Sequence, residues 1–204
     1  MLGLPRSTEV NRRVAKEKIY INASLTPKTR EIIKDQIETV VWRNKLADNT
    51  MGINAGESIK EIQVFEIQLR RHELDKRVLP AIAKAIPYKI LFILVFGEKV
   101  QTWIEAAGAF YNTEWQPRDE LSLKFEGLNL DTVYDNLARQ ISGGWLGTDG
   151  EIETAVARDK RRQKLERVIA VLEKKLLNEK QFNKQVELYG DLKRYKQELE
   201  ELVL

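Results

Sequence analysis

The sequence predicts an α/β (α+β) fold: a mixed sheet with flanking helices, followed by a helical coiled-coil tail. Three observations carry this. Apolar stretches of strand length alternate with helix-like stretches through the first 145 residues. A glycine-rich segment, SGGWLGTDG, then interrupts the pattern with four glycines in nine residues. Beyond it, residues 151–204 hold no proline and one glycine, and their leucines recur at heptad steps. The predicted organisation is a globular domain over 1–145, a linker over 146–150 and a helical unit over 151–204.

The first stretch holds the basic cluster Arg12, Arg13, Lys16 and Lys18, followed by Ile19-Tyr20-Ile21. It reads as an arm docking a short strand. Thr26-Pro27 opens a helix, because Thr accepts from an early N–H and Pro is tolerated where its missing donor has no partner. Ile32, Ile33, Ile37, Val40 and Val41 follow at helical spacing, so the pattern predicts helix running into Trp42. Turn material at 48–50, Gly52 and 55–57 brackets a short strand expected near 51–54.

Glu61–Leu69 is the clearest strand. Leu74 to Ile86 is helical by spacing, with Pro80 predicting a kink or a start near Leu79. Lys89–Phe96 and Lys99–Ala106 form a hairpin across Gly97-Glu98. Ala109–Trp115 and Leu121–Phe125 are expected to be extended, and Leu130–Ile141 is a helix with Val133, Leu137 and Ile141 on one face. In the tail, Leu165, Ile169, Leu172 and Leu176 form one register, and Leu188, Leu192, Tyr195, Leu199 and Leu202 another. They do not join across the polar segment 178–185. A continuous helix there would span roughly 75–80 Å and need a partner coil. The other solution is a hairpin.

Composition removes several chemistries. The 204-residue chain is 43% hydrophobic, enough for a core. It has no cysteine, which excludes disulfides, thiolate metal sites and thiol nucleophiles and suits a reducing cytoplasm. The single histidine, His72, excludes multi-histidine metal sites and reads as a surface residue. The longest apolar run, Ile90–Phe96, is too short for a bilayer. No phosphate loop or nucleophile elbow occurs. A soluble, cytoplasmic protein with no cofactor is expected.

The candidate catalytic pattern is EIQVFEIQLRR (61–71). On a strand, Ile62, Val64, Glu66, Gln68 and Arg70 share one face, and Gln63, Phe65, Ile67 and Leu69 share the other. Glu66-x-Gln68 approaches the Glu-x-Lys pair of metal-dependent nucleases. Such chemistry needs carboxylates converging on Mg²⁺ and a cation to stabilise charge. Here the ammonium is replaced by an amide, Arg70 is displaced, and Asp48 is the one candidate second ligand. The expectation is therefore a non-catalytic protein, with a Mg-dependent nuclease using Asp48, Glu66 and Gln68 as the alternative.

Net charge is +3. Residues 1–43 carry nine Lys/Arg against five Asp/Glu, whereas residues 44–150 carry twelve against fifteen. Arg12, Arg13 and Lys16, with Arg158, Arg161 and Arg162 of RDKRRQKLER (158–167), are the candidate contacts for nucleic acid or an acidic partner. Trp42, Trp103 and Trp115 are expected in the core. Trp145, in the glycine-rich loop, is a candidate interface anchor.

Several blocks together resemble a known family: LGLPRSTEVNRR (2–13), VVWRNKLADNT (40–50), EIQVFEIQL (61–69), AIPYKILFIL (85–94), LKFEGLNLDTVYDNLARQI (123–141) and KQFNKQVEL (180–188). They are similar to the prokaryotic family called domain of unknown function four-three-nine-one. The resemblance carries no catalytic residue over. It implies a context, since such proteins occur beside helicases and DNA methyltransferases of restriction-like systems. The expected partner is therefore a helicase or methyltransferase, with homo-oligomerisation through the C-terminal helices.

Overall fold

The computed structural model describes residues 2–203, and the chain divides into two compact units, 1–144 and 145–204.

The first unit is built on a mixed sheet. Its strands are β1 (Glu9–Arg13), β2 (Ile37–Leu46), β3 (Ile62–Leu69), β4 (Lys89–Phe96), β5 (Lys99–Ala106), β6 (Ala109–Asn112) and β7 (Gln116–Pro117). They lie in the order β1-β2-β3-β4-β5-β6, with β7 also pairing with β5. Neighbours are antiparallel except β3 and β4. That parallel pair needs a crossover, which α4 (Val78–Lys84) supplies. The helix begins two residues before Pro80, where the absent proline N–H leaves no intrahelical bond unmade.

The predicted faces of β3 hold. Phe65, Ile67 and Leu69 join Ile90, Phe92 and Leu94 of β4 in a core closed by Ile19 of α1 (Lys16–Asn22), Ile33 of α2 (Pro27–Gln36) and Val78, Leu79 and Ile82 of α4. Trp42, Trp103 and Trp115 pack against this core half-buried. His72 is exposed, its ring lying 4.8 Å from that of Trp115.

Helix α2 starts as expected, with Thr26 accepting from Thr29 N–H and Pro27 in the first turn. It does not reach Trp42. It stops at Gln36, and Ile37 is the first residue of β2. The reason is a bulge. Ile37 faces Leu69 while Thr39 faces Gln68, so one residue is inserted and Ile37 and Val40 both turn into the core. A bulged strand thereby imitates the three-residue step of a helix. Two further expectations fail. The segment at 51–54 is not a strand: Asp48–Met51 is a short helix, α3, ended by Gly52 at φ 67°, with a single bridge from Asn54 to Asn129. Residues 121–125 form no strand, although Leu121 is buried.

Helix α5 (Leu130–Ile141) is capped by Asn129 and packs against β5 and β6. Its Asp131 carboxylate accepts from the backbone N–H groups of Glu57, Ser58 and Ile59 at 2.7, 3.2 and 2.7 Å. Gly56 passes so close that a Cβ there would lie 2.2 Å from Asp131 Oδ1, so only glycine fits. This clamp fixes the loop that leads into β3.

The second unit is a helical hairpin, α6 (Ile152–Asn178) and α7 (Phe182–Val203), which pack together. The break at 179–181 resolves the two heptad registers as two helices. Glu179 ends the first one, and its carboxylate accepts the N–H groups of Lys180 and Gln181 at 2.8 and 2.9 Å. Ion pairs Arg161–Glu198 and Lys196–Glu173 link the helices.

Candidate functional site

Glu66 is buried at the middle of the sheet, opposite Val41 on β2 and Ile93 on β4. Both carboxylate oxygens are engaged by arginines. Arg43 Nη2 donates to Oε1 at 2.7 Å and Arg118 Nη2 donates to Oε2 at 2.6 Å. Arg43 is aimed by the sheet itself. Trp42 faces Phe65 and Asn44 faces Val64, so Arg43 is the extra residue of a second bulge. A bulge re-aims a side chain, and this one delivers the guanidinium to the carboxylate. Arg118 follows β7 and is held by its N–H to Glu98 C=O at 3.1 Å. Beside the pair, a cleft of about 310 Å³ is walled by Asn11, Arg43, Asn44 and Ile93. Asn11 Oδ1 accepts from Arg43 Nη1 at 3.2 Å, and Arg43 Nε is buried without an acceptor.

The structure does not bring Asp48 to Glu66. Leu46 stands opposite Ile62, and Glu66 lies four residues further along β3, roughly 13 Å away at 3.3 Å per residue. Asp48 lies two residues past Leu46, in α3, where its Oδ1 accepts from Asn49 N–H at 2.6 Å. Arg70 does not supply the missing cation either, because its Nε donates to Ile37 C=O at 3.3 Å. Gln68 lies next to Glu66 on the same face and is half-buried. Among the described residues no three His, Asp or Glu side chains gather as metal ligands would.

The basic candidates divide in two. Arg12 and Arg13 are exposed on the edge strand β1. Lys16 is turned inward, and Nζ donates to Ile37 C=O at 2.5 Å. Burial, with the Arg70 charge beside it, lowers its pKa. Arg158 and Arg161 are exposed on α6, and Arg161 is joined to Glu198. Arg162 is mostly buried. It donates to Asp159 at 2.6 Å and Glu166 at 2.5 Å, and its guanidinium lies 3.6 Å from the ring centre of Trp145. Trp145 is therefore held by a cation–π contact while remaining half-exposed.

Sequence reasoning missed a second cleft, of about 490 Å³, walled by Lys60, Glu61, Phe92, Lys89, Glu105 and Tyr134. The two acids of its wall are paired, Glu61 with Lys45 at 2.8 Å and Glu105 with Lys89 at 2.7 Å, and Lys60 Nζ donates to Gly56 C=O at 2.6 Å. The hydrogen bond to Glu61 raises the Lys45 pKa. The Tyr134 hydroxyl donates to Glu105 C=O at 2.8 Å, and burial pushes its pKa up. Such an arrangement can bind a small amphipathic group. Its groups are committed to each other, which suits recognition better than proton transfer. No local signal marks these pairs, because Lys89–Glu105 and Lys45–Glu61 are each assembled across strands sixteen residues apart in sequence.

No helix among the described residues is long and apolar enough to cross a membrane. No curated protein and no solved structure matches the chain. A family model does match, over residues 2–199, which is nearly the full length, and the chain belongs to the family described as domain of unknown function DUF4391.

Proposed function

We propose that this protein is a non-catalytic accessory, docking on a helicase or DNA methyltransferase of a restriction-like defence system and presenting the helical unit as a further docking surface. The observation that carries this reading is the state of Glu66, whose two oxygens are both held by arginines. A carboxylate so engaged is a structural tie between β2, β3 and the segment after β7. To ligate Mg²⁺ it would have to bring the cation beside the two guanidiniums already paired with it, whose like charge opposes the metal. The two acids of the second cleft are likewise paired with lysines, and the helical unit keeps large apolar side chains in water. The family resemblance implies a setting beside helicases and methyltransferases, and that association supplies the partner class.

The test is direct. Purified protein is incubated with plasmid DNA and Mg²⁺ or Mn²⁺, beside Glu66→Ala. No cleavage is expected from either. Cleavage by the wild type that vanishes in Glu66→Ala overturns the reading in favour of a metal-dependent nuclease. Co-purification with the helicase or methyltransferase of the same genome tests the positive half, and its failure with both removes the assigned partners.

A further inference from the structure

The cations of the first unit fall into two groups. Arg43, Arg118, Lys45 and Lys89 each face a carboxylate at 2.6–2.8 Å. At the C-terminal end of β3 the pattern changes. Lys16 Nζ donates to Ile37 C=O at 2.5 Å, and Arg70 Nε donates to the same oxygen at 3.3 Å. The two charges are therefore less than about 6 Å apart, close enough for each to disfavour the other. Burial comes first in lowering the Lys16 pKa, then the Arg70 charge, and Arg13 adds to them. Among the described residues, none of Arg12, Arg13, Lys16 and Arg70 forms an ion pair.

Ile37 caps α2, and one cation on its carbonyl suits the negative end of a helix. A second cation exceeds that need and brings a like charge. The carbonyl accepts through two lone pairs, so both are used. Lys16 keeps two further N–H donors and Arg70 four. Neither side chain makes another hydrogen bond among the described residues. Glu17 and Glu38 stand nearby, but both are exposed and neither closes an ion pair with Lys16 or Arg70. Arg12 and Arg13 extend the basic surface along the exposed edge strand β1, so four cations stand against two carboxylates.

We propose that this end of the sheet binds a nucleic-acid backbone, with Lys16 and Arg70 on one phosphate group and Arg12 and Arg13 on its neighbours. A phosphate supplies the two things these side chains lack: negative charge beside two like charges, and acceptor oxygens for the unused donors. A guanidinium fork and an ammonium point charge both suit it. A backbone repeats its phosphates, which matches basic residues spread along an edge strand better than one small anion does. The contacts go to phosphate, so binding is indifferent to base sequence. This contact goes beyond docking on a helicase or methyltransferase and does not depend on it.

The full chain is titrated against a labelled DNA duplex over a range of NaCl concentrations. The wild type should bind, with log K falling linearly on log salt. Lys16→Gln and Arg70→Gln should each weaken binding about threefold or more and make that slope shallower by roughly 0.5–1. Arg13→Gln should do the same. Its side chain bonds to nothing among the described residues, so it decides the matter if either of the other variants fails to fold. Lys124→Gln removes an equal charge from the exposed segment before α5 and should leave the slope unchanged. Absence of duplex binding at low salt overturns the proposal. So does a slope that none of the three substitutions changes, or one that Lys124→Gln changes as much. Inorganic phosphate binding as tightly as the duplex overturns the backbone in favour of a free anion. Polyglutamate binding as tightly overturns it in favour of an acidic protein. No helicase or methyltransferase enters the assay, so its failure leaves the assigned partners standing.

Discussion

Strand β4 and helix α7 are both apolar segments, but they are satisfied to different degrees. In β4 every residue from Ile90 to Val95 is buried, and the strand has neighbours on both edges. In α7, among the described residues, only Leu192 is buried, although the helix also carries Phe182, Val186, Leu188, Tyr189, Tyr195, Leu199 and Leu202. A sheet strand packs on two faces, whereas a helix in a two-helix hairpin has one neighbour and keeps a flank in water. The contrast also holds for the charges that join one element to another, although α6 buries its own pair Asp159–Arg162. Glu66 is buried between two arginines, whereas the hairpin pairs Arg161–Glu198 and Lys196–Glu173 stand in solvent. For apolar surface the body is closer to complete than the hairpin, so the search for a protein partner belongs on the hairpin.

The sharpest way to break this contrast is truncation of matched residues. Phe92→Ala removes a fully buried side chain from the core and should cost about 3–5 kcal/mol by urea denaturation. Tyr189→Ala, measured at low concentration, should fall within about 0.5 kcal/mol of wild type. Comparable losses at the two sites would mean that α7 is already covered.

Glu66→Ala comes next. It leaves two guanidiniums without their common acceptor, and the expected loss is about 2–4 kcal/mol, nearer the lower figure because both arginines reach solvent. Arg161→Ala, the hairpin counterpart, should cost under about 0.5 kcal/mol. A Glu66→Ala protein as stable as wild type would show that the carboxylate is retained for something other than structure.

The smallest expected effect is one of pH. Burial raises the Tyr134 pKa above its ordinary value of 10.0. The folded protein therefore holds this proton at alkaline pH where the unfolded chain releases it. The stability that Tyr134 contributes is complete below pH 10 and is lost as pH rises above it. Tyr134→Phe should cost about 1 kcal/mol at neutral pH, the worth of its bond to Glu105 C=O. It should also lose stability less steeply than wild type above pH 10. An unchanged alkaline slope would place the decline in other groups.

The sequence by itself determined the elements whose signal is local. Leu130–Ile141 is helical because its apolar residues repeat at 3.6, β3 declares both faces by alternation, and Gly97-Glu98 can only turn. The faces of Glu66 and Phe65 follow from the pleat alone. Tertiary structure decided everything that depends on a second strand. The bulges of β2 are defined against β3, so no reading of β2 alone separates Ile37 and Val40 from a helix, or shows Arg43 as the inserted residue. The partners of Glu66 lie 23 and 52 residues away, and only the sheet register brings them to it. The segment 178–185 permits one helix or two until the packing of α6 on α7 buries Leu165, Ile169 and Leu192. Local periodicity is written in the chain, but the neighbour that satisfies a charge or an apolar face exists only once the chain has folded.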